Sequence, residues 1–316
     1  MRIEKIQLYP ARPDVTLTCY LHENADAAVA DIVRPAIVIC PGGAYLNCSP
    51  REGEPVALRF AAMGYHTFVL RYSTYSGQSN FFVEPGHMLE PKPERQFPAA
   101  LRDLGLAFLV LGEHAEEWNL DMDRVAICGF SAGAHNCAMY SVYWNSQLLT
   151  DHFGKPAEAF RPAAAILGYG FSDYRLMLRN DSDPGMATLS INCNLAFLGV
   201  ETPDAVLLDT ASPVLHGGRH TPPTFIWGTA ADPLVPTENS AIYAAACARA
   251  GVPFEIHIFE EGIHGLSLAD QATADCLMSV EPDAAKWVEL CECWLKKRFA
   301  LTLPKSSVWM EILKQS

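Results

Sequence analysis

Arg124-Val125-Ala126-Ile127-Cys128 runs directly into Gly129-Phe130-Ser131-Ala132-Gly133, and a small-residue, apolar stretch follows to Trp144. Val125 to Cys128 have the unbroken apolar character of a strand buried on both faces. The next five residues match G-x-S-x-G. That pentapeptide arises by chance in roughly one chain in ten of this length, so its flanks decide how it is read. A strand that turns at once into a helix, with Ser between small neighbours, is the setting of a strained, exposed nucleophile. Gly129 and Gly133 supply the room. The competing reading is a Gly-rich strand–helix turn without chemistry.

Working outward, similar apolar runs recur at Ala36 to Cys40, His66 to Leu70, Ala163 to Leu167, Thr224 to Trp227 and Phe254 to Phe259. Helical periodicity falls between them, over Gly53 to Met63, Ala99 to Leu111, Ala132 to Trp144, Asn239 to Ala250 and Ala284 to Phe299. Strands alternating with helices predict right-handed βαβ units and a mostly parallel sheet with helices on both faces. Two earlier stretches, Ile3 to Tyr9 and Val15 to His22, alternate in polarity and suit an antiparallel pair. The expected fold class is therefore α/β, one domain over 1–316 with about eight strands. Two long excursions, at about 73–97 and 173–221, are expected above the sheet; long ordered loops are often functional.

Composition narrows the function classes. The 316 residues are 50% hydrophobic and 19% charged, which excludes wholesale disorder. The net charge is −13 with no basic cluster, a poor match for nucleic acid or an anionic membrane surface. No apolar stretch is long enough to span a bilayer. Charges in Met1-Arg2-Ile3-Glu4-Lys5 replace the apolar run of a signal peptide, so a cytoplasmic location is expected. The ten cysteines are scattered and read as reduced thiols, and no second Cys/His pair at zinc spacing accompanies Cys291 and Cys293.

A nucleophilic Ser needs a base and an orienting acid. The strand Thr224 to Trp227 ends in Gly228-Thr229-Ala230-Ala231-Asp232, and the strand Phe254 to Phe259 leads to Gly262-Ile263-His264-Gly265. Both side chains then lie beyond the carboxyl ends of strands, where open α/β sheets place their sites. Among ten histidines, His264 alone has the right order and setting. His257 falls within a strand, His135 packs on the helix after Ser131, and His216 and His220 precede Asp232. Pro41-Gly42-Gly43-Ala44-Tyr45 follows the first parallel strand, and there the N–H groups of Gly43 and Ala44, with that of Ala132, can face a developing oxyanion. Tyr45, Tyr72, Phe81 and Phe82 are candidates for lining a substrate pocket. Ser49-Pro50-Arg51-Glu52 reads as a capping box, with Ser49 as N-cap and Glu52 at N3, rather than as a substrate-binding Arg–Glu pair.

Taken together these stretches, with Arg51-Glu52-Gly53-Glu54-Pro55, Val69-Leu70-Arg71-Tyr72-Ser73, Ser212-Pro213 and His264-Gly265-Leu266-Ser267, resemble the α/β-hydrolase superfamily from about Pro35 to Ala269. More narrowly the chain resembles its acetylesterase and acetyl xylan esterase-like, hormone-sensitive-lipase-related group. The resemblance implies Ser131 as nucleophile, His264 as base, Asp232 as acid, and an oxyanion hole at Gly43, Ala44 and Ala132. It implies a short-chain ester substrate, acetyl on a small molecule or a xylan-derived oligosaccharide, with no metal and no organic cofactor. Pro41 and Ala44 stand where many relatives have His and Gly. Two rivals stay open at this level: a prolyl-oligopeptidase-type serine peptidase and a non-catalytic binding protein of the same fold. The apolar Val308-Trp309-Met310 raises the expectation of a homo-oligomer.

Overall fold

The central strand of the first parallel pair explains the architecture. In β3 (Arg34–Cys40), Ala36, Val38 and Cys40 face one hydrophobic core while Ile37 and Ile39 face a second. Every one of them is fully buried, as a period-two strand with helices on both sides requires. The computed structural model describes residues 1–23, 32–77, 83–84, 86–178, 184–303, 306 and 313–314.

The strands are β1 (Arg2–Tyr9), β2 (Arg12–Leu21), β3, β4 (His66–Arg71), β5 (Leu120–Phe130), β6 (Ala164–Gly168), β7 (Thr224–Thr229) and β8 (Phe254–Phe259). They form one eight-stranded sheet in the order β1-β2-β4-β3-β5-β6-β7-β8. β2 pairs antiparallel with both β1 and β4, and the pairings from β4 through β8 are parallel. The expected strand count, the antiparallel opening pair and the mostly parallel remainder all hold.

The helices are α1 (Glu54–Ala61), α2 (Ala99–Glu113), α3 (Ala132–Tyr143), α4 (Gln147–Phe153), α5 (Tyr174–Met177), α6 (Pro184–Phe197), α7 (Ala205–Thr210), α8 (Glu238–Ala250) and α9 (Trp287–Phe299). α2, α3 and α8 cover one face of the sheet through Leu104, Phe108, Cys137 and Tyr243. α1 and α9 cover the other through Val56, Phe60, Trp287, Trp294 and Leu295. Each large side chain buried in this way contributes about 1.5–3 kcal/mol.

The two excursions meet above the carboxyl ends of the strands. Asn192 of α6 is fully buried, accepts from the Leu89 N–H at 2.8 Å and donates to the His87 carbonyl at 2.8 Å. The Phe97 N–H donates to the Phe197 carbonyl at 2.8 Å. Part of each excursion, with Phe81 and Phe82, lies outside the described residues, as does Val308 to Met310. All ten cysteines are free thiols. Most are buried, but Cys193 is half-buried and Cys276 and Cys293 are exposed.

Candidate active site

Ser131 ends β5 and opens α3 at φ 52° and ψ −122°, a conformation a non-glycine residue adopts only at a cost of about 1–3 kcal/mol. The turn closes because its neighbours are small. A Cβ at Gly133 would collide with the carbonyl oxygens of Cys40 and Pro41. The Ser131 N–H is tied to the Gly168 carbonyl at 3.0 Å, which anchors the turn to β6. The strain thus lifts one hydroxyl above the sheet edge and holds it there.

The loops after β7 and β8 bring up the partners. His264 Nε2 lies 2.8 Å from Ser131 Oγ, and His264 Nδ1 lies 2.8 Å from Asp232 Oδ2. The second oxygen, Asp232 Oδ1, accepts the N–H groups of Leu234 at 2.8 Å and Val235 at 3.0 Å. An acceptor of three hydrogen bonds suits the ionised carboxylate, so Asp232 fixes the His264 tautomer with the proton on Nδ1 and leaves Nε2 to accept from the Ser131 hydroxyl. Side-chain exposure falls from 14% at His264 to 2% at Asp232, so the carboxylate acts from inside the protein.

The turn after β3 supplies amides. Gly43, Ala44 and Tyr45 have φ values of 127°, 54° and 58°. The first of these is a backbone shape open to glycine. Among the described residues the N–H groups of Gly43 and Ala44 have no backbone acceptor. The Ala132 N–H, first in its helix, has none by geometry. All three flank Ser131, and Gly43, Ala44, Ser131 and His264 line one cleft. The preceding peptide is held from both ends. Its N–H, on Gly42, donates to Glu52 Oε2 at 2.7 Å, and its carbonyl, on Pro41, accepts from the Tyr72 hydroxyl at 2.7 Å.

That arrangement corrects two sequence expectations. Tyr45 and Tyr72 do not line the pocket. They are 2% and 1% exposed and lie under the loop. Tyr45 stacks on Phe197 at 4.2 Å and donates its hydroxyl to His135 Nδ1 at 2.7 Å. His135 Nε2 in turn donates to the Ala211 carbonyl at 2.8 Å. Burial pushes the His135 pKa down to about 3, so this ring is neutral and structural. The capping box is also absent. Ser49 makes no side-chain cap, a 3₁₀ turn occupies Pro50–Glu52, and α1 starts only at Glu54. Glu52 has turned inward instead and is 4% exposed. Burial raises its pKa, and its bond to the Tyr169 hydroxyl is the leading opposing effect.

Two cavities of unequal size meet at Ser131. The smaller, about 50 Å³, is walled by Phe171, Tyr174, Met177, Leu189, Cys193 and Val235. The larger, about 560 Å³, holds His264 and the polar side chains of Asn47, Arg51, Thr188 and Asp275. Leu189 and Leu234 stand between them and belong to both. Sequence reasoning missed the wall residues of α5 and α6, because nothing in their local pattern shows which loop they face. Among the described residues no group of three His, Cys, Asp or Glu side chains is placed to hold a metal ion, and no helix is long and apolar enough to cross a membrane.

Known proteins share this arrangement of chain. Endo-1,4-beta-xylanase B of Butyrivibrio fibrisolvens is 31% identical over 255 residues, 80% of this chain and 35% of that protein. Acetylxylan esterase of Xylanibacter ruminicola is 28% identical over 253 residues, 79% of this chain and 43% of that one. The chain thus spans less than half the length of these curated relatives. Among solved structures, the carboxylesterase Cest-2923 of Lactobacillus plantarum WCFS1 superposes with a TM-score of 0.74 at 28% identity, over 96% of this chain and all of that one. The acetyl ester-xyloside bifunctional hydrolase of Caldicellulosiruptor lactoaceticus does so at 0.70 and 28%, over 93% and 96%. The BD-FAE family model matches residues 25–246, from before β3 into α8. With the strand–Ser–helix turn at its centre, the chain belongs to the BD-FAE family of α/β hydrolases.

Proposed function

We propose that the chain is a serine esterase that removes short acyl groups, acetyl foremost, from the hydroxyl groups of a sugar. The observation that carries this reading is the Ser131–His264–Asp232 relay, at 2.8 Å and 2.8 Å, standing where the two cavities join. Ser131 Oγ attacks the ester carbonyl while His264 Nε2 takes its proton. Asp232 stabilises the imidazolium, and the amides of Gly43, Ala44 and Ala132 receive the oxyanion. His264 then returns the proton to the leaving alcohol, and water releases the acyl group by the same steps in reverse.

The direction of the substrate follows from the proton. The leaving oxygen must lie beside His264, which lines the larger cavity, so the alcohol occupies that cleft and the acyl group the smaller one. A space of about 50 Å³ is a third of the roughly 150 Å³ that holds a benzene, which favours two carbons over a long chain. Asn47, Arg51, Thr188 and Asp275 offer hydroxyl partners on the alcohol side. The acetylxylan esterase and acetyl ester-xyloside hydrolase among the similar proteins support an acetylated xylo-oligosaccharide as the natural ester.

Hydrolysis of p-nitrophenyl acetate by wild type and Ser131→Ala, side by side, tests the reading. Turnover by wild type and a loss of about 10⁴–10⁶ in kcat for the variant are expected. Acetylated xylo-oligosaccharides come next. Equal rates for the two proteins would overturn the proposal.

A further inference from the structure

Glu52 is a buried carboxylate that the steps above do not use. Each of its oxygens accepts a hydrogen bond. Oε2 accepts the Gly42 N–H at 2.7 Å. Oε1 accepts the Tyr169 hydroxyl at 2.6 Å. The direction of that second bond is settled, because the Tyr169 oxygen itself accepts the Ser267 N–H at 2.9 Å and its own proton must go elsewhere. Ser267 follows His264 by three residues, and its hydroxyl donates to the Arg51 carbonyl at 2.7 Å, which returns the chain of bonds to the residue beside Glu52. The Tyr169 ring stands edge-on to the His264 ring, with centroids 5.1 Å apart and planes at 74°. Burial opposes the anion, while Tyr169, the Gly42 amide, His264 and Arg51 all favour it.

We infer that Glu52 is a positioning residue that couples the two halves of the active site. One oxygen sets the peptide from which the Gly43 and Ala44 amides project. The other, through Tyr169 and Ser267, sets the loop that carries His264. A carboxylate is required because both oxygens must accept at once, and a fully satisfied buried network holds a single geometry. The inference rests on the esterase reading above, since it is the oxyanion amides and the base that Glu52 aligns.

Glu52→Gln keeps the shape and replaces one acceptor by a donor that faces another donor. The expected result with p-nitrophenyl acetate is a fall in kcat of about 10–100-fold, the scale of a misplaced reacting group, with KM within about twofold of wild type. Affinity for a trifluoromethyl ketone, which forms the oxyanion adduct, should fall in parallel. Affinity for the unfluorinated ketone should not. Tyr169→Phe, which deletes only the bridging hydroxyl, should move the same quantities in the same direction, and the double variant should be little worse than Glu52→Gln alone. This second variant decides the matter should Glu52→Gln not fold. If Ser131→Ala is inactive while both variants keep kcat and ketone affinity within twofold of wild type, with losses confined to melting temperature, the inference is overturned and the esterase reading stands. If Ser131→Ala keeps its activity, the esterase reading fails and takes the inference with it.

Discussion

At the scale of single residues, the site separates histidines by what surrounds them. His264 has a carboxylate on one nitrogen and a hydroxyl on the other, whereas His135, four residues after Ser131, is sealed between Tyr45 and the Ala211 carbonyl. The second environment has a measurable consequence. In the unfolded chain His135 titrates near 6.5, but in the folded protein burial holds it down to about 3. The unfolded state therefore binds more protons between these values, and stability is lost as pH falls through that window. His66, lowered to about 4 by burial, adds a second loss of the same sign. His135→Gln cannot titrate, so its stability should lose one proton's worth of slope between pH 6.5 and about 4 in urea unfolding. A variant with the wild-type slope would place the titration elsewhere. His264 was legible in sequence because order and setting exclude its rivals. Glu52 was not, because its meaning lies in Tyr169, 117 positions away, and no local pattern records that pairing.

At the scale of elements, the strands of the sheet were legible, most plainly those with both faces buried. β3, β5 and β7 read as apolar runs because helices cover them on two sides, and Ser131 and Asp232 could then be placed just beyond strand ends. The excursions resisted the same treatment. α6 shows almost no segregation of apolar residues to one side, since Asn192 binds the other excursion, Leu195 and Phe197 join the core, and Leu189 and Cys193 wall the cavity. A helix with several unlike neighbours leaves no periodic signature. Its role at the smaller cavity yields a prediction. Leu189→Ala should admit two further methylenes, worth about 0.8 kcal/mol each, and so raise the butyrate-to-acetate ratio of kcat/KM roughly tenfold with p-nitrophenyl esters. An unchanged ratio would show that α6 does not set the acyl length.

For the whole molecule, one sheet serves two cores. Ile127 of β5 belongs to the core under α2, α3 and α8, and Ile39 of β3 to the core under α1 and α9, yet the two strands are hydrogen-bonded neighbours. Ile127→Ala and Ile39→Ala should each cost about 2–5 kcal/mol. Each should lower the same single transition, whether followed by tryptophan fluorescence or by far-UV circular dichroism. Two separated transitions would mean that the faces unfold independently. The arrangement of the site above that sheet also bears on substrate choice. Ser131 stands at the end of β5, and Gly43, Ala44, Asp232 and His264 stand on the loops that follow β3, β7 and β8. Leu189 and Cys193, two of the residues that wall the smaller cavity, stand on a 14-residue helix within an excursion. If the chain is the proposed esterase, substitutions along that helix retune the acyl group it takes, while the relay stays anchored to the shared sheet.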